Sequence, residues 1–182
     1  MITVSWRLAA HPQDQASIDH FSCAQSVSPR PKKAAHHPEP FALEAERILR
    51  THLRDASRDS RRRQWRFILG EDEDEDGAVA AAFVHRGAPD FAGPPIPHGV
   101  PVRLLMAMAV RYDLRESVVT PGGGRLSDEM LALAVDDARR ATPGGILLAR
   151  VHPANTPSGR LLDRHGFRSI QDGSYLTYAR AL

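Results

Sequence analysis

The chain has 182 residues, of which 42% are hydrophobic and 25% are charged, and its 24 Lys and Arg residues nearly balance its 22 Asp and Glu residues. This length fits one compact domain, and the apolar fraction excludes a wholly disordered chain. No run approaches the roughly 18 apolar residues of a membrane span, and the first residues lack the pattern of a secretory signal. The single cysteine, Cys23, excludes an internal disulfide and a multi-cysteine zinc site. We therefore expect a soluble, cytoplasmic protein.

Charge is distributed in two opposed segments. The basic segment 58–66 (RDSRRRQWR) is followed within a few residues by the acidic run 71–76 (EDEDED). A protein that binds nucleic acid concentrates positive charge on one face, so this arrangement argues against nucleic acid as the main ligand. The acidic run also lacks the spaced ligands of a calcium loop. We expect a solvated hairpin tip there rather than a metal site.

The first half of the chain predicts a strand, two helices and a hairpin. The predicted elements are a strand at 2–8, a short helix at 14–23, an amphipathic helix at 41–56, and strands at 64–69 and 78–85. In the short helix, Ile18 and Phe21 face inward. The proline-rich residues 24–40 show no apolar period and predict a loop or a mobile excursion.

The second half alternates buried strands with helices. The predicted elements are strands at 102–110 and 146–151, a helix that begins near Ser127 and ends before Pro143, a helix at 155–164, and terminal strands at 167–170 and 174–181. Ser127 fits an N-cap, and Asp128 and Glu129 suit the first turn of a helix, where we expect them to face solvent. The order of elements is that of a mixed α/β domain.

The glycines at 122–124 precede this helix, and they suggest an anion site. Glycine lets a backbone approach a ligand closely, and the N–H groups at a helix start carry partial positive charge. Phosphates are natural ligands for such a turn. Neither the P-loop string nor the dinucleotide fingerprint is present, so this segment alone leaves an unliganded surface turn equally open.

Three segments resemble the GNAT superfamily of acyl-CoA N-acyltransferases. MAMAV at 106–110 resembles the family's fourth strand, GGGRLSDEMLALAVDDARR at 122–140 resembles its pyrophosphate loop and helix, and VHPANTPSGRLLDRHGF at 151–167 resembles its V-x-x-x-N-x-x-A-x-x-L-Y-x-x-x-G-F signature. The last is the most specific. The resemblance covers residues 64–182 and implies a single domain with a mixed, mostly antiparallel sheet of six to seven strands flanked by helices.

The resemblance implies acetyl-CoA as cosubstrate and a primary amine as acceptor. It assigns the backbone of Met108 and Val110 to the acyl and pantetheine end, the loop and helix start to the diphosphate, and Asn155 to the pantetheine arm, where the other reading of Asn155 is a helix cap. The residues assigned to the diphosphate are Gly122, Gly123, Gly124, Arg125, Leu126 and Ser127.

Two departures from the family pattern concern the chemistry. Arg125 stands where the family has glycine, and its guanidinium could clamp the phosphates. Leu162 stands where many members carry a tyrosine that protonates the departing thiolate, and leucine cannot do this. A thiol pKa near 8.5 makes that acid partly dispensable at neutral pH.

The sequence offers four candidates for the general base, all expected near strand edges. His98 and Glu116 are the leading candidates, and His85 and Asp113 are the other two. Tyr175, Tyr178 and Cys23 fit packing roles. Two alternatives stay open: a non-catalytic acyl-CoA-binding or regulatory protein, and an acyltransferase acting on tRNA or ribosomal protein. The terminal strands could also pair in a homodimer.

Overall fold

The computed structural model describes residues 1–10, 12–26, 39–58, 64–89, 91, 96–119, 123–172 and 174–182. The strands are β1 (Val4–Leu8), β2 (Arg66–Asp72), β3 (Ala78–Gly87), β4 (Val102–Val110), β5 (Ile146–Val151), β6 (Arg168–Asp172) and β7 (Tyr175–Ala181). The helices are α1 (Gln15–His20), α2 (Pro40–Arg58), α3 (Leu126–Ala141) and α4 (Thr156–Arg164), and a 3-10 turn covers Tyr112–Leu114.

The seven strands form one mixed sheet in the order β1-β2-β3-β4-β5-β7-β6. Five of the six neighbouring pairs are antiparallel, and only β4 and β5 run parallel. The parallel pair is connected by α3, as a parallel pair requires a crossover. This confirms the predicted fold class: a mixed, mostly antiparallel sheet flanked by helices.

Two apolar layers cover the two faces of the sheet. On one face, α3 and α4 pack through residues that include Leu126, Leu131 and Leu162. On the other face, α1 and α2 pack through residues that include Ile18 and Leu49. Ile18 and Phe21 are buried, as the sequence predicted.

A buried carboxylate fastens α2 to the segment after α1. Glu46 accepts hydrogen bonds from the backbone N–H of Cys23 (2.9 Å) and of Ala24 (3.0 Å) and from the hydroxyl of Ser22 (2.9 Å). Cys23 is buried, and burial raises the pKa of its thiol to about 12. The thiol is therefore protonated near neutral pH, which agrees with its predicted packing role.

Several predicted boundaries need correction. β2 continues through Gly70 to Asp72, because Asp72 is buried and lies 3.5 Å from the guanidinium of Arg111, so the acidic tip is shorter than predicted. α2 begins at Pro40, since proline suits the first position of a helix. β1 begins at Val4 rather than at residue 2. Of the predicted loop at 24–40, residues 27–38 lie outside the described residues.

Within the described part of the chain, no helix is long and apolar enough to cross a membrane.

Candidate functional site

The sheet opens between its two parallel strands. β4 and β5 pair only from Val102 with Ile146 to Leu105 with Ala149. Beyond this point β4 continues for five residues to Val110, and these residues are not part of the ladder with β5. The result is a gap between neighbouring strands in the middle of the sheet.

Two backbone N–H groups of β4 face this gap. The N–H of Arg111 donates to the carbonyl of Ala80, on the β3 side, at 2.8 Å. Since backbone groups of successive strand residues point to opposite sides, the N–H groups of Met108 and Val110 point away from β3, toward the gap. These are the two β4 residues that the resemblance assigned to the acyl and pantetheine end.

Some backbone N–H groups of the loop before α3 are already hydrogen-bonded to carbonyls of the same loop. Val118 and Arg125 form an antiparallel bridge. On either side of it, the N–H of Leu126 donates to Ser117 (3.2 Å) and the N–H of Val119 to Gly124 (2.9 Å). The N–H of Gly123 donates to Val119 at 3.1 Å, and Gly123 has a φ of +69°, which glycine adopts without strain. Gly122 lies outside the described residues.

The other hydrogen-bond donors of the loop lie at Arg125 and at residues next to it. The flanking bonds make Val118 and Arg125 the non-hydrogen-bonded pair of the bridge, so the N–H of Arg125 points away from Val118. The N–H groups of Gly124, Arg125 and Ser127 have no backbone partner among the described residues. Arg125 carries an exposed guanidinium that lies 3.3 Å from Glu116. Together these groups form a cluster of donors at the start of α3.

The predicted cap of this helix is wrong by two residues. α3 begins at Leu126, and Arg125 occupies the N-cap position with extended backbone and no side-chain capping bond. Ser127 therefore lies inside the first turn and is half-buried. The helix starts earlier because Leu126 is fully buried and anchors it to the core.

The two acidic residues of the first turn contact protein groups instead of facing solvent. Asp128 accepts hydrogen bonds from Arg164 (3.0 Å) and from His165 (3.0 Å), at the end of α4. Burial alone would raise the pKa of Asp128, but these hydrogen bonds hold it below its ordinary value. Glu129 accepts a bond of 2.7 Å from the indole N–H of Trp6. Both carboxylates are therefore held by neighbours rather than directed at a bound anion.

Asn155 caps α4 and stands at the end of β5. Its side-chain oxygen accepts a long hydrogen bond, 3.4 Å, from the N–H of Ser158. The cap role is therefore present, and it leaves the amide NH₂ of Asn155 for a further partner. About two turns further along the helix, Leu162 is 3% exposed and belongs to the core under α3 and α4.

A cavity of about 180 Å³ lies beside this cap, between α4 and β7. Asn155, Gly159 and Tyr178 contribute to its lining. A Cβ at Gly159 would lie 2.8 Å from the hydroxyl of Tyr178, so glycine is needed for this approach. Tyr178 is buried, which agrees with its predicted packing role, and burial together with Asp163 raises its pKa.

Two of the four candidate bases do not face the gap. His85 is fully buried and hydrogen-bonded to Asp137 and Arg103, and burial lowers its pKa. His98 is exposed in the turn before β4, and nearby Ile96 packs at the start of that strand. Met108 lies six residues into β4, about 20 Å further along. The structure therefore places His98 at the opposite end of β4 from the gap.

The other two candidates are held by arginines at the exit of β4. Asp113 accepts hydrogen bonds of 2.8 and 3.1 Å from Arg111, and these hold the pKa of Asp113 below its ordinary value. A lowered pKa makes a carboxylate a weaker base. Glu116 is 82% exposed at its side chain and pairs with Arg125. This pairing places Glu116 beside the loop that precedes α3.

Sequence reasoning missed an aromatic cluster at the end of β5. His152 lies between Phe41 of α2 and Tyr175 of β7, with ring-centre distances of 5.2 and 5.9 Å. The guanidinium of Arg150 lies over the Tyr175 ring at 4.9 Å. The partners come from three distant segments, and no motif links them in the sequence. The cluster connects α2 to β7 at the end of β5, the strand that separates from β4.

In the basic segment 58–66, the structure describes the side chain of Arg66, which pairs with a carboxylate of α3. Arg66 donates to Asp137 at 2.5 and 2.6 Å, and residues 59–63 lie outside the described chain. Among the described residues, no group of three His, Cys, Asp or Glu side chains could hold a metal ion.

Comparison with solved structures finds the same fold over the whole chain. A protein from Desulfovibrio desulfuricans assigned to the GNAT acetyltransferase family is 20% identical, with 98% of this chain and 99% of that chain covered and a TM-score of 0.62. A chain of the NatC complex bound to Gag peptide and CoA is 11% identical, with coverage of 100% and 99% and a TM-score of 0.61. AtaTR bound with acetyl-CoA is 14% identical, with coverage of 98% and 93% and a TM-score of 0.62.

No family model and no curated protein matches the chain, so the likeness is carried by structure. The seven-stranded mixed sheet flanked by four helices matches the fold of these neighbours. The chain has the GNAT fold, the fold of acyl-CoA N-acyltransferases.

Proposed function

We propose that this protein is an N-acetyltransferase that binds acetyl-CoA in the gap between β4 and β5 and transfers the acetyl group to a primary amine. The observation that carries the proposal is the pair of N–H groups of Met108 and Val110, which point into a gap that β5 does not fill. An extended amide-containing arm can occupy such a gap as a substitute strand.

The diphosphate binds at the start of α3 in this proposal. The N–H groups of Gly124, Arg125 and Ser127 and the positive end of the α3 dipole attract an anion. The guanidinium of Arg125 adds charge-assisted hydrogen bonds. Gly123 and Leu126 shape the loop through their internal bonds, and Gly122 precedes them in the chain. The NH₂ of Asn155 donates to the pantetheine arm while its oxygen keeps capping α4.

The protein itself contributes to catalysis by orienting the reacting groups and by polarising the thioester carbonyl. Acetyl-CoA supplies the acetyl group as a thioester: the amine nitrogen forms a bond to the carbonyl carbon, the C–S bond breaks, and the sulfur leaves as thiolate. A β4 N–H donating to the carbonyl oxygen stabilises the charge that develops there. Leu162 cannot donate a proton, so the thiolate takes one from solvent, which the thiol pKa near 8.5 permits. The amine releases its proton to solvent.

The acceptor approaches from the end of β5 in this proposal. Phe41, His152 and Tyr175 present aromatic surface there. The Nδ1 of His152 accepts from the N–H of Ala154 at 3.1 Å, so the neutral ring carries its proton on Nε2 and presents a donor. His152 therefore orients the acceptor. The predicted cytoplasmic location and the predicted homodimer remain predictions.

A second candidate function is a non-catalytic CoA-binding protein of the same fold. The burial of Leu162 at the position of the usual tyrosine favours it, because no acid occupies that position.

One experiment separates the two functions. CoA and acetyl-CoA binding is measured by isothermal titration, and thiol release is measured with acetyl-CoA and a panel of primary amines, with the acetylated product identified by mass. Binding with amine-dependent thiol release supports the acetyltransferase. Tight binding without turnover across the panel supports the second candidate, and no binding of either ligand overturns both.

A further inference from the structure

We propose that the buried side chains of Arg103, His85 and Asp137 lock the register of β4 at the point where the sheet opens, and that they are positioning residues for the cofactor gap. The inference rests on the proposed acetyl-CoA site. These residues act through the conformation of β4 rather than by contact with a ligand.

The opening coincides with a β-bulge in β4. Val84 pairs with Ala107, whereas His85 pairs with Leu105, so Met106 is an extra residue in β4. Met106 and Ala107 both pack on the face covered by α1 and α2, although successive residues of a regular strand face opposite sides. The ladder with β5 ends at the same Leu105. The bulge therefore marks where β4 leaves β5.

A closed hydrogen-bond network lies beside the bulge. Arg103 and His85 are each 0% exposed. The Nε of Arg103 donates to Nδ1 of His85 at 2.8 Å, and its Nη atoms donate to the carbonyl of Gln64 (2.6 Å) and the hydroxyl of Thr142 (3.2 Å). Because arginine only donates, His85 carries its proton on Nε2 and donates it to Asp137 at 2.8 Å.

This network can form only in the bulged register. Without the extra residue, residues 102–105 would shift by one place and every side chain would turn to the other face of the sheet. Arg103 would then face the side where Ala88 and Leu148 are buried, away from His85 and Asp137. Burying an unpaired guanidinium there is costly. The network therefore disfavours the regular strand that would close the gap.

The decisive variant replaces the network with apolar side chains of similar size. His85→Leu with Arg103→Met removes the need for the bulge and leaves Asp137 paired with Arg66. Replacing buried polar networks in this way is often tolerated by the fold. We expect a folded protein whose CoA affinity falls at least tenfold, and whose cross-strand amide contacts shift from residues 85 and 105 to residues 85 and 106.

Two control variants separate register from general stability. His85→Gln keeps an acceptor for Arg103 and a donor for Asp137, so CoA affinity should stay within threefold of the unmodified protein. Val135→Ala removes apolar contacts from the layer under α3 and leaves the hydrogen-bond network intact. It should therefore lower the melting temperature and leave CoA affinity unchanged. If the double variant does not fold, Arg103→Lys should weaken binding where His85→Gln does not, because one ammonium nitrogen keeps the charge but cannot reach His85, Thr142 and Gln64 together as the three guanidinium nitrogens do.

Unchanged CoA affinity together with unchanged contacts at residues 85, 105 and 106 in the double variant would overturn the proposal, and so would equal CoA affinities for Arg103→Lys and His85→Gln. If the unmodified protein binds no CoA, the proposed function fails, whereas the cross-strand contacts still decide whether the network sets the register.

Discussion

Arg125 is the residue on which the proposed anion site depends most. Its guanidinium is exposed and lies at the N-cap of α3. A hydrogen bond to a charged group contributes about 1.5–3 kcal/mol, so Arg125→Ala should weaken CoA binding by roughly ten- to a hundredfold, measured by titration. Arg139→Ala, on an exposed arginine in the last turn of the same helix, should leave affinity unchanged. Equal losses in both variants would show a general charge effect instead.

Glu116 can serve as counter-ion or as base, and one substitution distinguishes the roles. As the counter-ion of Arg125, Glu116 competes with the diphosphate, so Glu116→Gln should raise CoA affinity a few-fold and leave kcat unchanged. A general base contributes roughly 10²–10⁴-fold to rate. A loss of kcat of that size in the same variant would restore Glu116 as the base.

Among the secondary-structure elements, α4 depends on Asn155, which has two roles: it caps this helix and, in the proposed function, contacts the pantetheine arm. Asn155→Asp keeps the capping oxygen and removes the NH₂ donor, so the free energy of unfolding should hold while CoA affinity falls. Asn155→Ala should lose both, with a stability loss of about 1 kcal/mol. Chemical denaturation and titration of both variants check this. Full CoA affinity in Asn155→Asp would leave Asn155 as a cap only.

The strands that form the gap could be predicted from sequence because their signals are local. β4 and β5 are apolar runs between proline- or glycine-containing segments, and both have the predicted bounds. The end of β2 could not be predicted, since the buried Asp72 pairs with Arg111, a residue that is distant in the sequence. The wrong cap at Ser127 has a similar cause: burial of Leu126 outweighs the capping preference of serine.

The candidate site was predicted in part. The resemblance identified Met108 and Val110, and the topology shows their N–H groups facing the gap. The contacts of Asp128, Glu129 and His152 could not be predicted, because each partner comes from a different element. Arg103 is a lone charge in an apolar strand, but its partners lie on β3 and in two loops, before β2 and after α3.

At the scale of the whole molecule, the buried network predicts how stability depends on pH. Burial lowers the pKa of His85 from its ordinary 6.5. Hydrogen bonds from His85 and Arg66 overcome the opposing effect of burial and hold the pKa of Asp137 well below its usual range. As pH falls below about 6.5, the unfolded chain binds a proton at His85 that the folded protein does not.

The free energy of unfolding should therefore be fully retained above pH 6.5 and decrease on acidification by up to about 1.4 kcal/mol per pH unit from this one group. Urea denaturation between pH 7.5 and 5 measures this slope. His85→Gln has no such titration and should flatten it. The same slope in both proteins would show that other groups control acid stability.

The proposed function requires that the cofactor binds in the gap between β4 and β5. The most direct measurement is the amide NMR spectrum of the ¹⁵N-labelled protein titrated with CoA. Binding in the gap should produce saturable shifts at Met108 and Val110, in the gap, and at Gly124 and Arg125, at the start of α3. Saturable shifts confined to other residues, with these four unmoved, would contradict it, as would a spectrum that CoA does not change.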